Sequence, residues 1–152
     1  MSIFNGINTS ASGLTAQRLR MDTIASNIAN VDTTRATVNA EGEYEPYRRK
    51  MTVLSPKDQG FSSILQHASY RGESEGSGGV KVTQIVEDDE PFQLVYNPNH
   101  PDANEDGYVE MPNVDPLKEM VDMMSATRSY EANVTSLNAS KTMLMKALEI
   151  GK

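Results

Sequence analysis

The residues best suited by type and spacing to do chemistry are Asp102, Asn104 and Asp106, followed by Gly107. Oxygen-bearing side chains at the first, third and fifth positions of a loop, with glycine at the sixth, form the opening half of a calcium loop. Such a loop closes on a bidentate Glu at its twelfth position, and here that position is Asn113, directly after Pro112. Without that ligand the pattern reads as a polar turn. His67 and His100 lie far apart and join no ligand-like group, and His100 belongs to the turn Asn97-Pro98-Asn99-His100-Pro101. There is no Cys, hence neither thiolate chemistry nor a disulfide framework. No dinucleotide glycine pattern follows a strand, and the glycine-rich run Gly72 to Gly79 lacks the Lys-Ser/Thr of a phosphate loop. The expectation is a protein with no catalytic residue, no cofactor, no bound metal and no small-molecule substrate.

Charge narrows the partners. The formal net charge of −7 is uneven along the chain. Residues 1–31 carry +1 and residues 115–152 carry equal numbers of acids and bases, so the acid lies between 32 and 114. The one basic cluster, Arg48-Arg49-Lys50, alternates across a strand pattern and makes a weak patch. An acidic middle with no basic face argues against a nucleic-acid partner. Near-neutral termini repel one another little and can pack side by side.

The termini are the elements that organise everything else. From Asp115 to Lys152 apolar residues recur every seven positions at Met123, Tyr130, Leu137 and Leu144, which places them on one helical face. A flanking row runs Met120, Thr127, Val134, Lys141 and Leu148, and a third row, Ala126, Asn133, Ser140 and Ala147, is small or polar. Asp115 suits the N-cap, Pro116 the first helical position and Gly151 the C-terminal cap. A second helix is expected over residues 3–31, where Ile7, Leu14, Met21 and Ile28 recur every seven, with Ile24 and Val31 beside them. Its many Ser, Ala and Gly residues make it marginal in isolation and suited to close approach by a partner.

Between the helices the periodicity changes to that of strands. Tyr44 to Leu54, Val80 to Val86, Phe92 to Tyr96 and Tyr108 to Met111 read as strands, and residues 57–79 as a poorly patterned, partly flexible loop. The expected fold class is therefore α+β. Two long terminal helices (1–34 and 115–152) pair as a coiled-coil-like α domain, and a small β-rich middle domain (35–114) is inserted between them. With only 38% hydrophobic residues, 6% aromatics and no Trp, a single large core is not expected. No run approaches a membrane span, and no signal-peptide pattern opens the sequence.

The run from Ser10 to Thr34, above all its end Ala29-Asn-Val-Asp-Thr-Thr34, resembles the N-terminal signature of flagellar rod and hook proteins. His100-Pro-Asp-Ala103, Gly107-Tyr-Val109, Pro112-Asn-Val114, Ala126-Thr-Arg-Ser-Tyr-Glu-Ala-Asn133 and Leu148-Glu-Ile-Gly151 narrow the likeness to basal-body rod members. The resemblance is co-linear over nearly the whole chain, weakest at residues 57–79. It implies a structural subunit of the proximal rod, built into the drive shaft across the cell envelope and periplasm and needed for motility. Its terminal helices would line a tubular assembly, with the middle domain outward. Partners would be copies of itself and other rod proteins, with the membrane ring and export gate of the basal body below. Export would follow the flagellar type III route without signal cleavage. On this reading Leu14, Met21, Ile24 and Ile28, and Met123, Tyr130, Val134, Leu137, Leu144 and Leu148, are assembly or packing residues. The alternative is a helical adaptor that docks a single partner.

Overall fold

The computed structural model describes residues 3–39, 42–57 and 79–150. The expected loop at 57–79 and the residues His67 and Gly151 therefore lie wholly or largely outside the described residues. Two helices dominate. Helix α1 spans Ile3–Ala29 and helix α2 spans Pro116–Ile150. At 1.5 Å per residue they are about 40 and about 52 Å long. Six short strands lie between them: β1 (Thr37–Val38), β2 (Tyr44–Glu45), β3 (Lys50–Pro56), β4 (Val80–Glu87), β5 (Gln93–Tyr96) and β6 (Tyr108–Met111). This is the α+β composition expected. The strands pair locally as β1–β2, β3–β4 and β5–β6.

The start of α2 follows its sequence. Asp115 Oδ1 accepts hydrogen bonds from the Leu117 and Lys118 amides at 2.9 and 3.4 Å, and Pro116, which has no N–H to leave unpaired, opens the helix. Helix α1 ends where Asn30 folds back, its side-chain amide donating to the Ser26 carbonyl at 2.8 Å, while Thr33 donates to Asn30 Oδ1. One strand expectation is corrected. Tyr44 to Leu54 is not continuous, because Pro46 cannot donate to a ladder and the chain leaves strand geometry between β2 and β3. The strand β6 takes the expected bounds, and β5 pairs with it antiparallel, Tyr96 opposite Tyr108. Gly107, at φ +80°, supplies the left-handed turn into β6.

By contacts the chain divides into two compact units, each using part of both helices. Unit 1 comprises residues 1–19, 53–84 and 125–152, and unit 2 comprises residues 20–52 and 85–124. In unit 1, Ser10 meets Ser136 and Gly13 meets Asn133; three steps forward on α1 are three steps back on α2, so the helices run antiparallel. In unit 2, Asn27 meets Glu119 and Arg20 meets Asp122, again antiparallel. The apolar core of the described residues is small: Ala16 and Ala126 in unit 1, and Ile24, Tyr47, Val109 and Val114 in unit 2. Replacing Asp115 by Ala is expected to lower stability by about 1 kcal/mol in urea unfolding, and Asp115→Asn by much less, since Asn can still cap.

Candidate functional site

The ten packing residues expected from the heptad rows are placed as follows. Ile24 is buried; Leu14, Met21, Ile28, Met123, Tyr130, Val134, Leu137 and Leu144 are half-buried. Leu148 is 75% exposed. The side chains that meet across the helices are smaller and more polar. On α2 they include Glu119, which meets Asn27, Asn133, which meets Gly13, and Ser136, which meets Ser10; Glu119 and Ala126 are fully buried. On α1 the buried positions are Ser10, Ala16, Thr23, Ile24 and Asn27. In unit 1 a Cβ added at Gly13 would come within 3.1 Å of Asn133 Oδ1, so the glycine lets the helices approach closely. Ser12 then fastens α1 to β4, accepting the Val80 N–H at 3.1 Å.

Unit 2 holds a polar network that periodicity does not reveal. The Asn27 side chain makes four hydrogen bonds. Its Nδ2 donates to the Lys50 carbonyl at 2.9 Å and to Glu119 Oε2 at 3.0 Å; its Oδ1 accepts from the Lys50 amide at 2.9 Å and from the Tyr47 hydroxyl at 3.1 Å. One amide thus joins α1, β3 and α2 with its full donor and acceptor capacity used. The other Glu119 oxygen accepts from Arg49 Nε at 2.6 Å, and Arg49 also meets Asp88 at 3.1 Å and Asp122 at 3.7 Å. Asp122 continues to Arg20 at 3.3 Å. Asn113 completes the network, accepting the Arg49 amide at 2.8 Å and donating to the Asp88 and Glu90 carbonyls. Burial alone would lower the Arg49 pKa and raise that of Asp88. The bonds of Arg49 to Glu119 and Asp88, and of the Glu90 amide to Asp88, outweigh burial, so Arg49 is raised and Asp88 lowered.

The calcium-like loop has a structural use. The hydrogen bond from Arg35, then that from Thr34, holds the Asp102 carboxyl below its ordinary pKa, and the ion pair raises Arg35. Asn104 Oδ1 accepts the Tyr108 amide at 2.8 Å, so two of the three would-be ligands are already engaged within the protein. His100 Nδ1 accepts the Asp102 amide. Among the described residues no three His, Cys, Asp or Glu converge as a metal site. The basic triplet is dispersed: Arg49 enters the network, Arg48 stacks on Phe92 and Lys50 lies over Tyr47.

Large apolar residues are exposed on the strands and on both helices. In unit 2, Leu117, Met120, Val121 and Met124 leave a bare stripe on α2. In unit 1, Phe4, Met143, Met145, Leu148 and Ile150 are exposed. No helix among the described residues is long and apolar enough to cross a membrane. Contiguous exposed apolar surface of this kind marks contact with another molecule.

Two family models match: one described as flagella basal body rod protein, over residues 7–37, and one described as flagellar basal body rod FlgEFG protein C-terminal, over residues 105–150. The chain is 61% identical to the flagellar basal-body rod protein FlgC of Bacillus subtilis, over all of both chains. It is 42% identical to that of Borreliella burgdorferi, over 99% of this chain and 98% of the relative, and 40% identical to that of Escherichia coli O6:H1, over all of both.

Two outcomes test the network. Arg49→Met should cost about 3 kcal/mol or more in denaturant unfolding, because it strands the Glu119 charge in the interior; Arg49→Met with Glu119→Leu should recover most of the loss. Asp88 and Asp102 are held below the unfolded carboxylate value of about 3.9, so their stabilisation is complete above that pH and is lost as pH falls through their folded values. Thermal melts should show the transition temperature dropping steeply below about pH 4.

Proposed function

Because the chain belongs to the family of flagellar basal-body rod proteins and is a structural subunit of the bacterial flagellar rod, we propose that it acts in the proximal rod without catalysis, its terminal helices forming the assembly core. The observation that carries this reading is the apolar surface left bare on α2 in a chain whose own core is small. Leu117, Val121 and Met124, and further along Met145, Leu148 and Ile150, are side chains that a monomer leaves in water and a helical assembly would cover. The half-buried residues Leu14, Met21 and Ile28, and Met123, Tyr130, Val134, Leu137 and Leu144, together with the buried Ile24, then pack within the subunit or against its neighbours.

On this reading residues 1–34 and 115–152 form the helical core domain and residues 35–114 the outward middle domain. Partners are copies of the chain and other rod proteins, with the membrane ring and export gate below. The subunit leaves the cell through the flagellar export apparatus without cleavage and lies within the envelope. An adaptor for one partner would need only one such stripe, whereas exposed apolar residues occur on α2 in both units.

The first test is electron microscopy of basal bodies from cells lacking the chain. Rings without a rod, with rods restored by complementation, are expected; complete rods would overturn the role. Leu137→Asp should abolish motility, because it places a charge in a helix seam, while the strands of the middle region stay folded by circular dichroism. Normal motility in that variant would count against the seam.

A further inference from the structure

The two units carry opposite charge. Unit 1 holds eight Lys and Arg against five Asp and Glu, a net of +3, and unit 2 holds six against sixteen, a net of −10. Each unit also presents an apolar surface flanked by its own sign. In unit 1, a concave groove of about 340 Å³ has Ala16, Leu19, Val80 and Val82 in its lining, together with the exposed Lys57 and Lys81. In unit 2, the β5–β6 hairpin turns one face out. Its register places Leu94, Tyr96, Tyr108 and Glu110 on that face, while Val109 on the other face is buried. Leu94 and Tyr96 are 64% and 65% exposed, and Tyr96 meets Tyr108 edge to face at 5.3 Å. The exposed acids nearby are Glu110, on the strand, and Glu105 and Asp106, in the turn that leads into it.

We propose that the outward face of the β5–β6 hairpin of one copy docks into the Lys57/Lys81 groove of a second copy. The proposal rests on the reading of the chain as a self-assembling rod subunit and gives that reading a specific contact. An exposed apolar face with two tyrosine rings suits an apolar groove, because aromatic anchors bury large area at little entropic cost. The surrounding charges are of opposite sign, which selects this pairing and excludes others. The bare α2 stripe is a poorer occupant, because it carries Lys118, with Arg128 one turn beyond Met124, and would set like charges against Lys57 and Lys81. The contact is heterologous: each copy offers a hairpin and a groove. A heterologous contact leaves a hairpin and a groove for further copies unless the assembly closes on itself.

The test uses the full-length chain in sedimentation velocity, with two variants. Lys57→Glu/Lys81→Glu makes the groove acidic like the hairpin, and Glu105→Lys/Glu110→Lys makes the hairpin basic like the groove. All four positions are exposed. The unmodified chain should associate, less strongly at about 1 M than at about 0.1 M sodium chloride, as the screening length falls from about 10 Å to about 3 Å. Each variant alone should associate at least about tenfold more weakly, since like charges oppose docking. An equimolar mixture of the two should recover association, because the acidic groove of one accepts the basic hairpin of the other. Variants that associate as well as the unmodified chain, or a mixture of folded variants that fails to recover, would overturn the contact. So would association of the unmodified chain that is indifferent to salt. An unmodified chain that stays monomeric, in a protein whose loss removes the rod, would replace the second copy by a basic partner of another kind. Rods that persist without the chain would overturn the assembly reading itself.

Discussion

The structure of unit 2 depends on one side-chain amide. Asn27 sits near the end of α1 and grips both backbone polar groups of Lys50, much as a neighbouring strand would. It also donates to Glu119, a carboxylate that is fully buried on α2. A buried charge is tolerated only when paired and hydrogen-bonded, so Arg49 is fixed beside it, Asp88, Asn113 and Asp122 are drawn in to satisfy Arg49, and Arg20 pairs with Asp122. Non-directional apolar packing could hold the same elements in several registers. A fully used amide allows few, and it sets the start of β3 against both helices.

Unit 1 solves the helix-pairing problem with small groups. Gly13 and Ser10 on α1 face Asn133 and Ser136 on α2. Close approach between such residues leaves the larger side chains of the heptad rows only half covered. The same holds for α2 in unit 2, where the stripe from Leu117 to Met124 remains in water. A chain that spends its closest contacts on Ser, Gly, Ala and Asn keeps its bulky apolar residues for other molecules. That allocation suits a subunit of a rod better than a self-sufficient globule.

Charge is allocated in the same spirit. The acid that the sequence concentrates in its middle falls mostly in one unit, and the excess base in the other. Both units draw on both termini, so this segregation does not follow the chain. Opposite charge on separate units favours contact between unlike surfaces of successive copies over contact between like ones.

Sequence alone determined the elements whose cause is local. The cap Asp115-Pro116, the period-seven rows of both helices and the strand Tyr108–Met111 are all legible because they rest on neighbours within a few residues. The likeness of residues 10–34 and 100–151 to rod proteins is legible for the same reason, being carried by contiguous residues. Tertiary structure alone decided which helical row is most deeply buried. Leu137 and Tyr130 are the larger side chains, yet Glu119 and Ala126 are the residues without exposure, because closeness of backbones outweighs side-chain size where α1 offers Gly, Ser and Asn. It also decided that Arg49 lies in an interior network while its neighbours Arg48 and Lys50 stack on aromatic rings, and that Asp102 serves Arg35 and Thr34. The pairings of Arg49 with Glu119 and of Asp102 with Arg35 and Thr34 join residues 67 to 70 positions apart, and no local pattern can encode which distant partner will satisfy a charge once water is removed from it.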